Sequence, residues 1–157
     1  MSQSTEPGAS WSIRTAQHVG LHVSDLERSL HFYRDLLGFE VVMQWNPSEP
    51  YIGTLVGYPE PNLHAAVLRP PGVDFLVELV ELRGLHLAPV GAAEAPPGTA
   101  HVGFIVANLD EAYAYLTSRG VRAISEPVTP TIGPNKGGRA VYVLDPDGIR
   151  IELIQKP

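Results

Sequence analysis

Residues 139 to 155 read R-A-V-Y-V-L-D-P-D-G-I-R-I-E-L-I-Q, and this stretch decides how the chain closes its fold. Two apolar runs rich in β-branched residues, Ala140–Leu144 and Ile149–Ile154, flank a turn at Asp145–Gly148. Proline presets one dihedral of such a turn and glycine allows a positive one, so the stretch predicts a β-hairpin. Alternation along the second strand places Glu152 amid apolar residues. A carboxylate there needs water or a positive partner, because an unpaired buried charge is too costly.

Outward from this hairpin, the openings of the two halves of the chain repeat each other. Residues 18–23 read H-V-G-L-H-V, and residues 101–106 read H-V-G-F-I-V. After each opening we predict a helix, over Asp25–Leu37 and Asn108–Arg119, with a polar cap before it and a glycine after it. The repeat indicates two copies of one unit, each with too small a core to be stable alone.

The remaining strand signals complete two βαβββ modules. Period-2 runs predict five strands in the first half, one more than a βαβββ module has: Gln17–Val23, Phe39–Gln44, Gly53–Val56, Leu63–Leu68 and Phe75–Leu82. In the second half, the repeated opening, Val121–Ile124 and the hairpin supply the strands. We predict a single α+β domain at 17–157, in which module 1 spans 17–82, a surface linker spans 83–98 and module 2 spans 99–155. Residues 1–16 are expected to be a flexible tail.

Composition limits the classes of function. The chain has 157 residues, 44% hydrophobic and 18% charged, which is ordinary for a globular domain with a real core. A formal net charge of −6 gives no electrostatic support for a nucleic-acid or anionic-membrane partner. No window has the pattern of a signal peptide or a membrane span, so we expect a cytoplasmic protein. Cysteine is absent, so any metal must be bound by histidine and carboxylate.

The repeat marks a set of candidate metal ligands. Each copy opens its first strand with a histidine and carries a glutamate in its last strand; these residues are His18, Glu78, His101 and Glu152. A duplicated unit packed about a pseudo-twofold axis would bring equivalent positions together as one His₂Glu₂ set. Such donors suit one divalent cation, Zn, Ni, Co, Mn or Fe. Glu81 competes with Glu78, because a shift in register would exchange the faces of the strand.

Other polar and aromatic residues carry weaker signals. His22 shares a strand face with His18 and is a candidate pocket residue, although Ile105 stands at its place in the second copy. Histidines without a repeat partner are expected at the surface; these are His31, His64 and His86. Three aromatic residues are expected in the core or in a pocket wall, with nothing to choose between these places; they are Trp45, Tyr51 and Tyr142.

These features resemble the vicinal oxygen chelate superfamily, which includes glyoxalase I, methylmalonyl-CoA epimerase, extradiol dioxygenases and the bleomycin and fosfomycin resistance proteins. The resemblance rests on the repeated units, on the opening followed by D-L-E-R-S-L-H-F-Y-R-D-L-L-G-F, and on the ending D-P-D-G-I-R-I-E-L. It implies a cupped mixed sheet, made of both modules around one metal, with ligands at the four positions above. Proteins of this architecture commonly dimerise, because a module pair leaves a sheet edge open. We therefore predict a homodimer, with each site built either within one chain or across two.

The resemblance narrows the activity without fixing it. Glyoxalase I and the epimerase use four protein ligands, whereas the ring-cleaving dioxygenases use three and bleomycin-type binding proteins generally lack them. The glutathione-dependent enzymes typically carry arginine, asparagine and arginine at positions that here hold His22, Leu82 and Pro97. The closing segment of the epimerase is also replaced, by Leu144–Gly148. We expect a small-molecule substrate and little activity on a glutathione adduct.

Three functions remain open. The leading one is a metal-dependent isomerase or lyase, in which the metal polarises a carbonyl and stabilises an enediolate while Glu152 or Glu78 moves the proton. Glu152 is preferred as the base, because a short hairpin holds it. An Fe(II)-dependent dioxygenase would use His18, His101 and Glu152 as its facial triad. A binding protein would sequester an antibiotic or metabolite in the cup without chemistry.

Overall fold

The computed structural model describes residues 13–85 and 95–157, so most of the predicted tail, the middle of the predicted linker and His86 lie outside the described residues. Within these ranges, no helix has the length and apolar character needed to cross a membrane. The elements in chain order are β1 (His18–His22), α1 (Leu26–Leu30), a π-helical continuation (His31–Leu36), β2 (Glu40–Trp45), α2 (Pro50–Val56), β3 (Asn62–Arg69), β4 (Leu76–Arg83), β5 (His101–Ile105), α3 (Leu109–Thr117), β6 (Arg139–Leu144) and β7 (Arg150–Gln155).

Each half of the chain forms one mixed sheet. Module 1 gives a sheet with the order β1-β4-β3-β2, and module 2 gives a sheet with the order β5-β7-β6. In both sheets the first strand of the module runs parallel to its last strand, and the other pairs are antiparallel. The predicted α+β class is confirmed, and each module contributes a sheet of its own.

The closing hairpin forms as the sequence predicts. The backbone N–H of Asp145 donates to the carbonyl of Ile149 over 3.0 Å, and Gly148 takes a φ of 83° that only glycine adopts readily. The register that follows places Tyr142 directly opposite Glu152. This pairing decides which side chains share a face with the candidate ligands.

Two predicted strands are wrong. The segment at Gly53–Val56 belongs to helix α2, which begins with a proline in its first turn and ends at Gly57, whose φ is 75°. Proline at a helix start and left-handed glycine after its end are favourable helix boundaries, and they outweigh the strand propensity of so short a run. In place of a strand at Val121–Ile124, the structure has an isolated bridge between Ala123 and Val143. Pro127 follows closely and has no N–H to extend a ladder.

Both predicted helix starts have the side-chain caps that the sequence indicates. The carboxylate of Asp25 accepts the backbone N–H of Arg28, and the amide oxygen of Asn108 accepts that of Glu111. A side chain from the last strand of the same module adds a second cap to each helix: Glu81 Oε2 accepts from Leu26 N over 3.3 Å, and Gln155 Oε1 accepts from Leu109 N over 2.8 Å. Each helix is therefore fixed to the strand that carries the candidate glutamate.

One face of each sheet is buried in a core that the two modules share. This core includes Leu21 and Leu79 from module 1 and Val143 and Ile151 from module 2. By the alternation of the strands, the opposite face of each sheet carries the candidate histidine and glutamate. We call this opposite face the ligand face of its module.

A polar cluster joins the two modules where α1 meets the hairpin turn. Asp147 accepts the backbone N–H of Ser24 over 3.0 Å and the guanidinium of Arg28 over 2.8 Å. Beside it, the buried Asp145 accepts the hydroxyl of Tyr33 over 3.0 Å and two backbone N–H groups of its own turn. The turn that precedes Glu152 is thus attached to the helix that follows His18.

Candidate metal centre

Each module holds one histidine and one glutamate side by side. His18 Nε2 lies 3.5 Å from Glu78 Oε2, and His101 Nε2 lies 3.5 Å from Glu152 Oε2. The parallel pairing of first and last strands produces this contact, because it places each glutamate next to the strand that begins with the histidine. The side chains are 40% and 23% exposed in the first pair and 52% and 21% exposed in the second. Both pairs are therefore accessible to a ligand from solution.

A glycine opposite each glutamate keeps the space beside the carboxylate open. Gly20 pairs with Glu78, and Gly103 pairs with Glu152. A Cβ added at Gly20 would lie 3.9 Å from Glu78 Oε2, and one added at Gly103 would lie 3.7 Å from Glu152 Oε2. The duplicated chain thus repeats a small cradle as well as two donors. Imidazole and carboxylate around such a cradle fit a divalent transition metal.

The competition between Glu78 and Glu81 is decided by their faces. Glu78 lies on the ligand face, whereas Glu81 is buried on the opposite face at 9% exposure. There Glu81 accepts from the backbone of Leu26 and pairs with the guanidinium of Arg83 at 2.9 Å. Glu81 is a helix cap, and Glu78 is the carboxylate that stands beside a histidine.

The four predicted ligands come together as two pairs. Among residues 13–85 and 95–157 of one chain, no group of three or more His, Cys, Asp or Glu side chains is placed to hold a metal ion. A metal site normally takes three or four protein donors, so one pair alone supplies too few. We call each of these pairs, His18 with Glu78 and His101 with Glu152, a candidate half-site; one lies on each ligand face.

The other predicted polar residues lie outside these pairs. His22 is exposed on the ligand face of module 1, opposite Val80, which agrees with its place in the strand pattern. His31 contacts Asp35 on its own helix at 3.0 Å, and His64 contacts Asn62 on its own strand at 3.0 Å.

Tyr142 is a site residue that sequence reasoning did not assign. Its hydroxyl lies 3.4 Å from His101 Nε2, and the two rings meet edge to face with centroids 5.3 Å apart. Partial burial raises the pKa of Tyr142, and the nearby negative charge of Glu152 acts in the same direction. Counting the hairpin register back from the turn would have placed Tyr142 beside Glu152.

Helix α2 closes one end of the ligand face of module 1. Ile52 packs on Leu63, Ala65 and Val80, with Trp45 at the edge of the same cluster. Val67 and Glu78 are cross-strand partners. The next pair on the same face, toward α2, is Ala65 and Val80. Beyond Glu78, therefore, the β3 side of this face is apolar and covered by helix α2, whose second half the sequence predicted as a strand, while His22 remains exposed on the β1 side.

Comparison with known proteins finds related chains across nearly the whole length. A family described as the Glyoxalase/Bleomycin resistance protein/Dioxygenase superfamily matches residues 15–153. Lactoylglutathione lyase from Haemophilus influenzae is 35% identical over 141 residues, covering 88% of this chain and 90% of that protein. The chain spans 36% of a probable chloroplastic lactoylglutathione lyase from Arabidopsis thaliana, with 28% identity. A glyoxalase family protein from Bacillus cereus has the same fold, with a TM-score of 0.78 at 21% identity, covering 94% of this chain and 97% of the other.

Proposed function

The chain belongs to the glyoxalase/bleomycin resistance protein/dioxygenase superfamily, and from this premise we propose that it is a divalent-metal-dependent lyase or isomerase acting on a small oxygenated molecule. The observation that carries the proposal is the duplicated half-site. Each module presents one imidazole and one carboxylate at the same separation, 3.5 Å, beside a glycine. A surface without a chemical role would not require the imidazole, the carboxylate and the glycine to be present in both copies.

The proposed roles follow from the donors. His18, Glu78, His101 and Glu152 would hold the cation, which when bound would polarise a substrate carbonyl as a Lewis acid. Glu152 would take a proton from the carbon next to that carbonyl through a carboxylate oxygen and return it to the neighbouring carbon. The reaction then needs no separate base, because the glutamate already lies beside the reacting carbons. Proton transfer within the bound complex does not depend on an encounter with a base from solution.

We further infer that the site is shared between two chains of a homodimer. One chain offers half-sites with two donors each, and both ligand faces expose apolar side chains: Met43 is 52% exposed and Ile105 is 66% exposed. Exposed apolar groups on a sheet face favour contact with another surface. A second copy that faces module 1 of its partner with its own module 2 would bury these groups and complete the donor set.

Metal binding and turnover by matched variants test the proposed chemistry. His101→Ala should lose metal, because it removes a donor and leaves Glu152 without its neighbour. Glu152→Gln should keep much of the metal affinity and lose about 10²–10⁴-fold in rate, the usual contribution of a general base. Near-full activity of Glu152→Gln would transfer the role of base to Glu78. If His18→Ala, His101→Ala and Glu152→Ala all kept the metal content of the wild type, the proposed site would be wrong.

Mixing two inactive variants tests whether the site is shared. His18→Ala spoils only the first half-site of its chain, and His101→Ala spoils only the second. After subunit exchange, about a quarter of the sites should recover, because half of the dimers are mixed and each mixed dimer has one intact site. Sites built within single chains would show no recovery, since every chain would still carry one damaged half-site.

The thiol partner of the substrate is a separate question, because the curated relatives described above are named lactoylglutathione lyases. We propose that glutathione is not recognised by the usual side chains. Leu82 is packed against the cluster under α2, so its position offers no polar group to a tripeptide. A cofactor with two carboxylates normally needs fixed cationic partners such as arginine. Turnover of a glutathione hemithioacetal with kcat/KM on the order of 10⁴ M⁻¹s⁻¹ or more would contradict this proposal.

A further inference from the structure

The two half-sites differ at one position of the repeat. In module 1, the cross-strand neighbours of Glu78 are Gly20 and Val67. In module 2, the cross-strand neighbours of Glu152 are Gly103 and Tyr142. The glycines correspond, whereas a valine on one side is replaced by a tyrosine on the other. Only the second half-site therefore has a hydroxyl beside its glutamate.

Tyr142 is held in place by contacts on two sides. Its ring meets the imidazole of His101 at 89°, with the centroids 5.3 Å apart. The guanidinium of Arg150 lies over the same ring, 5.6 Å from its centroid. The hydroxyl is directed at His101 Nε2, from which it is 3.4 Å away, and this nitrogen is also the one that faces Glu152. The phenol thus reaches the point where the two donors of the half-site meet.

We propose that Tyr142 is a positioning residue, whose hydroxyl donates a hydrogen bond to the carboxylate of Glu152 when His101 Nε2 is occupied by a metal. This inference rests on the proposed function, since it assumes that the pair binds a cation. A cation held by His101 would take the hydroxyl's present partner, and Glu152, directly opposite Tyr142 on the neighbouring strand, would be the acceptor next to it. Glu78 has only Val67 at the equivalent place.

The consequence is that the two glutamates are not equivalent, although the repeat makes them look so. A hydroxyl that donates to one carboxylate oxygen limits the rotation of that carboxylate and leaves its other oxygen directed at the site. Groups of this kind around metal ligands typically change metal affinity or activity by 10–100-fold when removed. The proposed bond therefore fixes the orientation of Glu152, whereas Glu78 has its histidine contact but no hydroxyl at the equivalent place.

The test is the affinity of the metal-stripped homodimer for Co²⁺, measured by titration in the absence of substrate. Tyr142→Phe keeps the ring and its contact with His101 but deletes the hydroxyl, and it should weaken Co²⁺ binding by about 10–100-fold. Tyr115→Phe is the matched control. It deletes a hydroxyl from an exposed tyrosine on α3 whose ring contacts Arg119, so its affinity should equal that of the wild type.

A double-mutant cycle separates positioning from a general structural effect. If Tyr142 acts through Glu152, the loss caused by Tyr142→Phe should disappear in a Glu152→Ala background, which has no side-chain oxygen to accept the hydroxyl, whereas glutamine would keep an acceptor. Wild-type affinity in Tyr142→Phe would overturn the inference, and so would a loss of equal size in both backgrounds, even if the variant were also less stable. Should His101→Ala bind Co²⁺ as tightly as the wild type, the proposed metal site itself would fail, which is a different result.

Discussion

At the scale of single residues, Gly20 and Gly103 have no side chain that could fill the space beside the candidate glutamates. Both lie in strands, without a left-handed φ, so a larger residue is conformationally acceptable there. What a methyl group would change is the space beside the carboxylate. Because alanine loses less backbone entropy than glycine on folding, it should not weaken the strand.

We predict that Gly103→Ala leaves the melting temperature unchanged or slightly raised while weakening metal binding, because the new Cβ, in van der Waals contact with Glu152 Oε2 at 3.7 Å, would occupy part of the space that a cation beside this oxygen needs. Gly38→Ala gives the opposite pattern and serves as the control. Gly38 has a φ of 74° with open space around it, so alanine costs about 1 kcal/mol of stability and does not touch the site. Equal metal affinity in both variants would show that the cradle has no role.

The sequence identified the candidate donors because they recur in the repeat, and the structure places each histidine beside the glutamate of its own module. It could not assign Tyr142, which has no counterpart in module 1 and whose residue type is equally common in cores. It also could not choose between Glu78 and Glu81 with certainty, since the choice depends on strand register. Residues that recur in both copies of the repeat can be recognised from the sequence. A residue that occurs in one copy, such as Tyr142, is recognised only from its contacts in the folded structure.

At the scale of elements, each helix is held by a side chain that arrives from the last strand of its module. Glu81 does this for α1 and Gln155 does it for α3, three residues after Glu78 and Glu152 respectively. The backbone N–H groups at a helix start have no partner inside the helix, so an acceptor from elsewhere stabilises them. Glu81 is charged and also pairs with Arg83, whereas Gln155 is neutral and caps its helix without a charged partner.

We predict that Glu81→Gln costs little stability and Glu81→Ala costs about 1–2 kcal/mol, measured by denaturant unfolding. Glutamine supplies the same acceptor that Gln155 supplies to Leu109, and the lost pair with Arg83 is weak because the arginine side chain is 45% exposed. Alanine instead leaves the N–H of Leu26 unpaired in a buried place. A glutamine variant as unstable as the alanine variant would show that charge, and not the cap, holds the helix.

Elements with strong local signals were predicted, and those defined by tertiary context were not. The caps at Asp25 and Asn108 and the turn at Asp145–Gly148 act within a few residues, so the sequence shows them. Helix α2 has a short apolar run whose period is ambiguous, and its form is decided by its boundaries at Pro50 and Gly57 together with its packing against Ala65 and Val80. A short run of this kind could be a strand in another fold.

At the scale of the whole molecule, Asp145 connects the modules through Tyr33 and ionises at a higher pH than an ordinary aspartate. Burial raises the pKa of Asp145 to about 6, against hydrogen bonds from Ile149 and Tyr33 that favour the charged form. The folded protein therefore binds a proton at this group that the unfolded chain, with its lower pKa, has already released. The contribution of Asp145 to stability is fully present below the unfolded pKa and declines as pH rises through about 6.

We predict that Asp145→Asn removes this dependence while keeping an oxygen for the N–H groups of the turn. The free energy of unfolding of the wild type relative to the variant should fall by on the order of 2 kcal/mol between pH 4 and pH 7. Unfolding in urea at a series of pH values measures it, and using the difference between the two proteins cancels the other carboxylates. A difference that stays flat, or that rises with pH, would mean that the hydrogen bonds keep Asp145 ionised.

The division of the donors into two pairs on separate sheets has a genetic consequence. Under the proposed sharing of sites, every site in a mixed dimer takes one half from each chain. A cell that makes equal amounts of the normal chain and of a chain damaged at both His18 and His101 would keep only about a quarter of its dimers intact, since every mixed dimer has two incomplete sites. An allele that damages both halves would then be dominant, whereas alleles that damage opposite halves would partly complement each other.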